Sequence, residues 1–425
     1  MARTAHTKAA FAAPPEPELT PGEMIARAVA LRPQLVEQQA ECEERTYYSE
    51  ELHRAFLQAG FYRLYVPRRY GGYEFDVPTY VRVVLELARG CPSAAWCMAL
   101  AAAHALQVAS WWEERAQAEI FGHGDFRAAS VATPIGPATR TEDGWELNGR
   151  TAYASGIPYS THYMGQAIMG EDDAGLPRML LFVAPKSEWH MLDDWGHLLG
   201  LKGSGSQSIV FEGGRIPAHW ALEDTFMIDV DPSEGTPGLR LHDNPMYGGR
   251  AISCFTLTLG AIMIGAAYNA LDEYETMMTT KTAPLPPFVP RRLDLDYQRH
   301  FGRAMAKIAT AEAALKNAAD QHMELCLRFV EQGIPYSYGD DQRIGCIARE
   351  VMLQAWETMQ ADIFRTAGSS AAGKGQRIER IYRDMSMVNG HRNTVLRDWA
   401  FRELAREKLG LARDWERRNV PVPRD

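Results

Sequence analysis

Residues 374–391, KGQRIERIYRDMSMVNGH, set Glu379, Arg380, Arg383 and Asp384 along a helical repeat and end on His391. Imidazole titrates near neutral pH, so a histidine held at the end of a helix can give or receive a proton. A second histidine, His104, lies in SAAWCMALAAAHALQVASW with Trp96 before it and Trp111 and Trp112 after it. Each has a plainer reading when taken alone, because histidine hydrogen-bonds wherever it sits and tryptophan packs cores. Arg383 and Asp384 are adjacent, point to different sides of their helix, and read as structural partners of neighbouring elements. GSGSQS at 203–208 has the composition of a phosphate cradle. No strand-to-helix turn with dinucleotide spacing surrounds it, so it reads as a flexible corner.

The texture of the chain around these residues changes twice. The first part is helical. Ser49 can cap a helix that carries Glu50 and Glu51 in its first turn, Leu52 and Phe56 on its apolar stripe, and Gly60 at its end. A second helical run goes from about Pro78 to Phe121. From about Asp125 strands take over: Asp143-Gly144 favours a tight hairpin, and MLLFVAP and SIVFEGGRIP are short apolar runs closed by proline. Helical periodicity returns near 246–280, 296–333, 342–367 and 377–411, the pattern of a four-helix bundle. Between the first two of these lies TAPLPPFVPRRLD, whose prolines break the helix and whose length suits a lid or binding loop. The expected order is a flexible tail 1–21, a helical domain 22–124, a central β domain 125–243, a bundle 244–412 and a tail 413–425.

Composition narrows the partners. The chain has 425 residues, 46% hydrophobic, and 45 basic against 54 acidic residues give a net charge of -9. That balance offers no general attraction to nucleic acid or anionic lipid, which leaves small molecules or further copies of the chain. The six cysteines lack the spacing of zinc sites or disulfide scaffolds and read as reduced thiols in a cytoplasm. MARTAHTKAAFAAPPEPE has no sustained apolar stretch and does not read as a secretion signal. The uncharged run 251–268 is long enough to span a membrane, yet its serine, threonines and glycines, followed by LDEYE, point to a helix buried in a bundle or subunit interface.

Four stretches occur in order on this architecture: GFYRLYVPRRYGG, GWELNGRTAYASG, GLKGSGSQSIVFEGGRIP and RIERIYRD. Over about residues 22–412 the chain resembles the acyl-CoA dehydrogenase superfamily. The resemblance implies a mostly α fold with a central β-barrel or sandwich domain and a C-terminal four-helix bundle. Dehydrogenases of that family place a carboxylate to take the substrate's α-proton, because so weak a carbon acid needs a base beside it. The matching position here is Gly375, and the family's other location falls near Gly248 and Gly249. Ordinary acyl-CoA oxidation is therefore disfavoured.

The chain is also similar to a branch of that superfamily, the two-component flavin-dependent monooxygenases. The likeness rests on His104 after a small-residue and tryptophan run, Ser130 in RAASVATP, the turn Tyr153 to Gly156, and His391 in NGHRN. It implies reduced flavin (FMNH2 or FADH2) with O2 as co-substrate, through a C4a-hydroperoxide that survives only in a dry pocket. Under this resemblance Ser155 would hold the flavin N5 proton, with Tyr153 and Gly156 shaping the turn. His391 would donate to the peroxide, His104 would accept a phenol's proton, and Ser130 would orient the phenol oxygen. Trp96, Trp111 and Trp112 would supply flat apolar walls, and Arg291, Arg292, Ser369 and Ser370 would meet the flavin phosphate.

The same resemblance implies an aromatic or heteroaromatic substrate, a separate NAD(P)H:flavin reductase that delivers flavin by diffusion, and a homotetramer. The strand-rich part lacks the alternating strand and helix of a nicotinamide-binding domain, which agrees with an outside reductase. Three alternatives stay open on sequence: a dehydrogenase or oxidase with an unrecognised base, N- or S-oxygenation on the same scaffold, and a non-catalytic binding module.

Overall fold

The computed structural model describes residues 13–122 and 124–411. Its N-terminal part runs through α1 (Pro21–Glu37), α2 (Gln39–Arg45), α3 (Glu50–Ala59), α4 (Val77–Gly90), α5 (Pro92–Trp111) and α6 (Glu114–Phe121). Local chemistry sets these ends. Ser49 accepts the Leu52 N–H at the start of α3, and Gly60 closes it at φ 83°. The helical run expected from Pro78 to Phe121 is three helices. Cys91 precedes a proline, which disfavours helical geometry, and it sits extended between α4 and α5; a second break follows at Trp112. The segment before α1 is fastened rather than loose from Glu16 onward: Glu16 pairs with Arg27, Leu19 is buried, and Thr20 caps α1. The remaining tail residues, 1–12 and 412–425, lie outside the described residues.

The strands form two four-stranded sheets. One orders β1 (Ala128–Val131), β4 (His162–Glu171), β5 (Pro177–Pro185) and β8 (Ala221–Leu222). The other orders β2 (Ala138–Arg140), β3 (Gly144–Thr151), β7 (Ile209–Pro217) and β6 (His190–Met191). Only the β1–β4 pair is parallel among these neighbours. The sheets meet through buried rings, Tyr163 and Phe182 of the first against Phe211 of the second. Asp143 and Gly144 lie in the expected hairpin between β2 and β3.

Helices then return: α7 (Pro237–His242), α8 (Ala251–Thr280), α9 (Leu295–Gln332), α10 (Tyr338–Thr358) widening into α11 (Arg365–Ala367), α12 (Arg377–Asn389), α13 (Arg392–Val395) and α14 (Arg397–Lys408). The fourth bundle helix is thus not continuous. The chain leaves α12 at Gly390, and His391 takes an extended ψ of 147° to start α13. The apolar stretch of α8 is 89% buried inside this one chain, so the bundle itself covers it without a subunit interface. The architecture is the helical, β, four-helix arrangement the sequence implies. At its centre is α5, every residue of which is buried except Leu100. It packs against β1, α8 and α12, and so collects side chains from all three parts.

Candidate active site

The turn after β3 is pressed onto α5. Gly156 adopts φ +85°, and a Cβ there would lie 2.5 Å from the Cys97 carbonyl oxygen and 3.0 Å from Ala101 Cβ. Only glycine meets both demands. This approach sets Ser155 beside Trp96, whose indole Nε1–H donates to Ser155 Oγ at 3.0 Å. Ser155 Oγ is also 2.7 Å from Ser206 Oγ, which is 2.6 Å from Ser204 Oγ. The segment 203–208, expected to be a flexible corner, is buried and hydrogen-bonded: Ser204, Ser206, Gln207 and Ser208 are all buried, and Gly203 packs on Cys42. The chain bends at Gly205, with φ +56°, and both serines reach the turn: Ser206 through its hydroxyl, and Ser204 through its carbonyl, which accepts the Gly156 N–H at 3.3 Å.

Trp96 turns its other side to His391, with ring centres 5.2 Å apart and planes at 72°. His391 is not carried on a helix body; it caps α13, and its Nδ1 accepts the Asn393 N–H at 3.2 Å. A neutral imidazole that accepts at Nδ1 carries its proton at Nε2, so the free nitrogen of His391 is a donor. Burial, aided by the Arg392 charge, pushes its pKa down to about 4, which keeps the ring neutral. Asn393 is held in turn by Arg349, whose buried Nε–H donates to the Asn393 carbonyl at 3.1 Å.

His104 has the reverse polarity. Its Nδ1 is 2.7 Å from the Ala128 carbonyl oxygen, which can only accept, so the proton sits on Nδ1 and Nε2 offers a lone pair. Burial lowers its pKa to about 4 as well, against the opposing pull of the Ala128 carbonyl. Ser130 follows Ala128 by two residues on β1 and therefore shares its face. The Ser130 hydroxyl is buried and has no hydrogen-bond partner in the structure. A buried hydroxyl left without a partner is a place prepared for a further polar group.

Other expected residues lie elsewhere. Trp112 is wholly enclosed, at 0% exposure, and offers no ring face to a ligand; it belongs to the core, while Trp111 stays 6% exposed. Trp96 is occupied by Ser155 and His391 and acts as a spacer between them rather than an open wall. Tyr153 is 59% exposed and meets Trp195 edge-on at 5.5 Å. Arg291 is buried, donates to the Ala367 and Thr282 carbonyls, and covers the Tyr297 ring, so the proline-rich loop is anchored through it. Arg292, Ser369 and Ser370 are exposed, and Lys281 Nζ reaches Ser370 Oγ at 3.3 Å. Ser369 and Ser370 precede the Arg377 start of α12 in the chain and His391 follows its end, and Arg291 joins the former through the Ala367 carbonyl.

The acids and bases of α12 are structural. Arg380 and Arg383 both pair with Glu43 of α2, and Arg383 also bonds Glu379 and the Leu199 carbonyl. Asp384 accepts the Leu201 N–H at 2.6 Å and the Ser93 hydroxyl at 3.0 Å, and burial raises its pKa to about 6. Asp384 is structural, as the sequence reading has it, whereas that reading misses Ser204, Ser206 and Asn393. The only sequence signal for the serines was their alternation.

Two family models match the chain. The acyl-CoA dehydrogenase N-terminal domain matches residues 24–119 and the acyl-CoA dehydrogenase C-terminal domain matches residues 257–395. The chain belongs to the acyl-CoA dehydrogenase superfamily. Within it, the chain is 25% identical over 364 residues to a flavin-dependent monooxygenase, oxygenase subunit HsaA, of Rhodococcus jostii, covering 84% of this chain and 91% of that protein. It is 22% identical over 414 residues to the oxygenase component of p-hydroxyphenylacetate 3-hydroxylase of Acinetobacter baumannii, covering 94% and 92%. Among solved structures, XiaF from Streptomyces in complex with FADH2 and glycerol superposes with a TM-score of 0.83 at 21% identity, covering 95% of this chain and 97% of that one.

The residues present fit a flavin as superfamily members use it. Ser155 Oγ takes one hydrogen bond from Trp96 and can give its own proton to Ser206, which leaves a lone pair for the N–H of a reduced flavin ring. No carboxylate stands at Gly375, Gly248 or Gly249; Gly249 instead packs against His322, where a Cβ would meet Nε2 at 2.7 Å.

Proposed function

We propose that this protein is the oxygenase component of a two-component flavin monooxygenase that hydroxylates an aromatic or heteroaromatic small molecule. One observation carries the reading: two neutral histidines, His104 buried and His391 half-buried, are locked by backbone contacts in opposite tautomers, one offering a proton and one a lone pair. Relatives named as oxygenase components of flavin-dependent monooxygenases support it.

Bound reduced flavin supplies the two electrons that activate O2. The chain's own groups do the rest. Ser155, set by Trp96 and Ser206, holds the reduced ring's N–H and so slows loss of that proton. The Nε2–H of His391 offers a hydrogen bond where oxygen gains negative charge, and its depressed pKa keeps that bond a neutral donation rather than a proton release. His104 accepts a hydrogen bond from the substrate hydroxyl at Nε2 and draws electron density toward the ring carbon to be oxidised. Ser130 orients the same oxygen. Apolar residues on α5 and α8 exclude water, which limits waste of the reduced flavin as H2O2.

A separate flavin reductase partner follows, because no nicotinamide-binding fold stands among the described residues and the oxygenase-component relatives imply one. In this reading the exposed Arg292, Ser369 and Ser370 serve the flavin phosphate of a neighbouring copy in a homotetramer, and the six buried free thiols suit a reducing cytoplasm. The test is to mix the protein with reduced flavin, air and a panel of phenols and indoles, and to measure hydroxylated product against H2O2. Product in excess of peroxide is expected. Tight oxidised flavin that is bleached by an acyl-CoA, with no hydroxylation, would establish a dehydrogenase instead.

A further inference from the structure

Arg349 of α10 is 2% exposed, and no carboxylate among the described residues is within ion-pair distance of it. Its Nε–H donates to the Asn393 carbonyl at 3.1 Å, while its Nη1 has no hydrogen-bond partner. Burial lowers its pKa against the opposing pull of Cys346 and Asp341. An unpaired charge and an unmet N–H both cost stability, and a methionine of similar length would avoid both. Stability therefore does not account for a guanidinium at this place.

The group is fixed where it lies. Its Nη1 rests over Gly345, one turn earlier on α10, where a Cβ would come within 2.9 Å of it. The bond it makes falls on the piece of chain that sets His391. α13 is a single turn, Arg392–Val395, with too few internal bonds to fix its own peptide planes. Asn393 supplies the missing anchors. Its side-chain Nδ2 donates to Thr256 Oγ1 of α8 at 3.3 Å, and Thr256 is itself tied to the Ile252 carbonyl at 2.7 Å. Its carbonyl takes the Arg349 Nε–H from α10, and its N–H meets His391 Nδ1 at 3.2 Å. Two helices thus pin the residue whose N–H is aimed at the imidazole.

Resting on the monooxygenase reading above, we infer that Arg349 is a positioning residue for oxygen activation: by holding the Asn393 carbonyl it keeps the Asn393 N–H on Nδ1 of His391, and so keeps that ring's proton on Nε2. It acts through Asn393 and not on the reacting atoms. Its agent is the Nε–H rather than the charge.

The experiment separates donor from charge. Glutamine carries an N–H-bearing nitrogen on Cδ, as arginine carries Nε, so Arg349→Gln keeps the donor and drops the charge. Arg349→Met drops both, with Arg349→Leu in its place if the methionine variant does not fold. Each protein is isotope-labelled at histidine Nδ1 alone, and the His391 nitrogen signal is identified by its loss in His391→Asn. Protonated and unprotonated ring nitrogens resonate far apart, so the spectrum reads the tautomer without flavin or turnover. Parent and Arg349→Gln should both show an unprotonated Nδ1 at His391. Arg349→Met should lower the ratio of the Nε2–H to the Nδ1–H form by about tenfold, the effect of one hydrogen bond, and the ratio of product to H2O2 should fall with it. An unchanged tautomer ratio without the donor overturns the assignment. A loss in Arg349→Gln as large as in Arg349→Met also overturns it, because the charge would then be the agent. A tautomer that shifts in Arg349→Met alone, in a protein that hydroxylates no phenol, supports the positioning role and sinks only the monooxygenase reading.

Discussion

Asp384 offers a quantitative test of how α12 is held against the segment that carries Ser204 and Ser206. Its carboxyl is enclosed between α12, the Leu201 backbone and Ser93 of α5. Burial raises its pKa from 3.8 to about 6, against the lowering effect of the Leu201 N–H and the Ser93 hydroxyl. The folded state therefore binds more protons than the unfolded chain between about pH 4 and 6. Stability must fall as pH rises through that window, and the cost is fully present above the folded pKa. A shift of about two units corresponds to about 3 kcal/mol.

Replacing Asp384 with asparagine removes the charge and keeps the shape. The amide oxygen still accepts the Leu201 N–H, its NH2 group donates to Ser93 Oγ, and the Ser93 hydroxyl can turn back onto its own helix. Asp384→Asn should match the parent near pH 4 and exceed it at pH 8 by up to about 3 kcal/mol. For a chain of 425 residues that is a rise in Tm of about 3 °C. The assay is thermal unfolding of parent and variant at pH 4.5, 6 and 8 at one scan rate. Asp384→Ala should be less stable at every pH, because it strands the Leu201 N–H. A variant asparagine protein weaker than the parent at pH 8, or a difference that ignores pH, would refute the account of a carboxylate ionised at a cost.

Further outcomes follow from the site. His104 and His391 are both depressed to about 4, so the yield of product per reduced flavin should stay flat from pH 6 to 8; a titration near 6.5 in that yield would contradict their neutrality. His391→Ala removes the Nε2–H donor and should lower the product yield by tenfold or more with matching H2O2, measured by product and peroxide analysis. The histidines depressed to about 4, His53, His104, His242, His322 and His391, contribute stability that is present above pH 6.5 and lost as pH falls toward 4, so acid unfolding should take up protons in that range. Gly156→Ala drives a methyl group toward the Cys97 carbonyl at a left-handed φ and should cost about 1–3 kcal/mol. It should also weaken binding of reduced flavin, read by equilibrium dialysis under anaerobic conditions.

The architecture was legible because its signals are local. Ser49 and Gly60 bound α3 by cap chemistry alone, and the strand region announced itself by prolines and an Asp-Gly turn. Where the reading went wrong, a long-range contact outweighed a local cue. GSGSQS looks mobile by composition, yet Cys42 covers Gly203 and Ser155 bonds Ser206, so the segment is interior. Arg291 looks like a free loop cation, but the Ala367 carbonyl comes from 76 positions away. The break at Gly390 was hidden because helical periodicity resumes in α13 and α14, and periodicity does not report the ψ of one residue.

The site was legible to a different depth. Motif resemblance can nominate His104, His391 and Ser155, but it says nothing about which nitrogen carries a proton. That choice belongs to backbone groups, the Ala128 carbonyl for one ring and the Asn393 N–H for the other, and they arrive from a strand and from a one-turn helix start. Burial then removes the alternative of a charged ring at either place. A donor and an acceptor made from the same side chain are thus specified by fold rather than by residue type. Moving either backbone contact by one hydrogen bond would reverse the polarity of its ring while leaving every motif in the sequence intact. The break after α12 accordingly has a chemical consequence: an uninterrupted helix would tie the Asn393 N–H to the carbonyl four residues earlier, Asn389, and release Nδ1 of His391 to either tautomer.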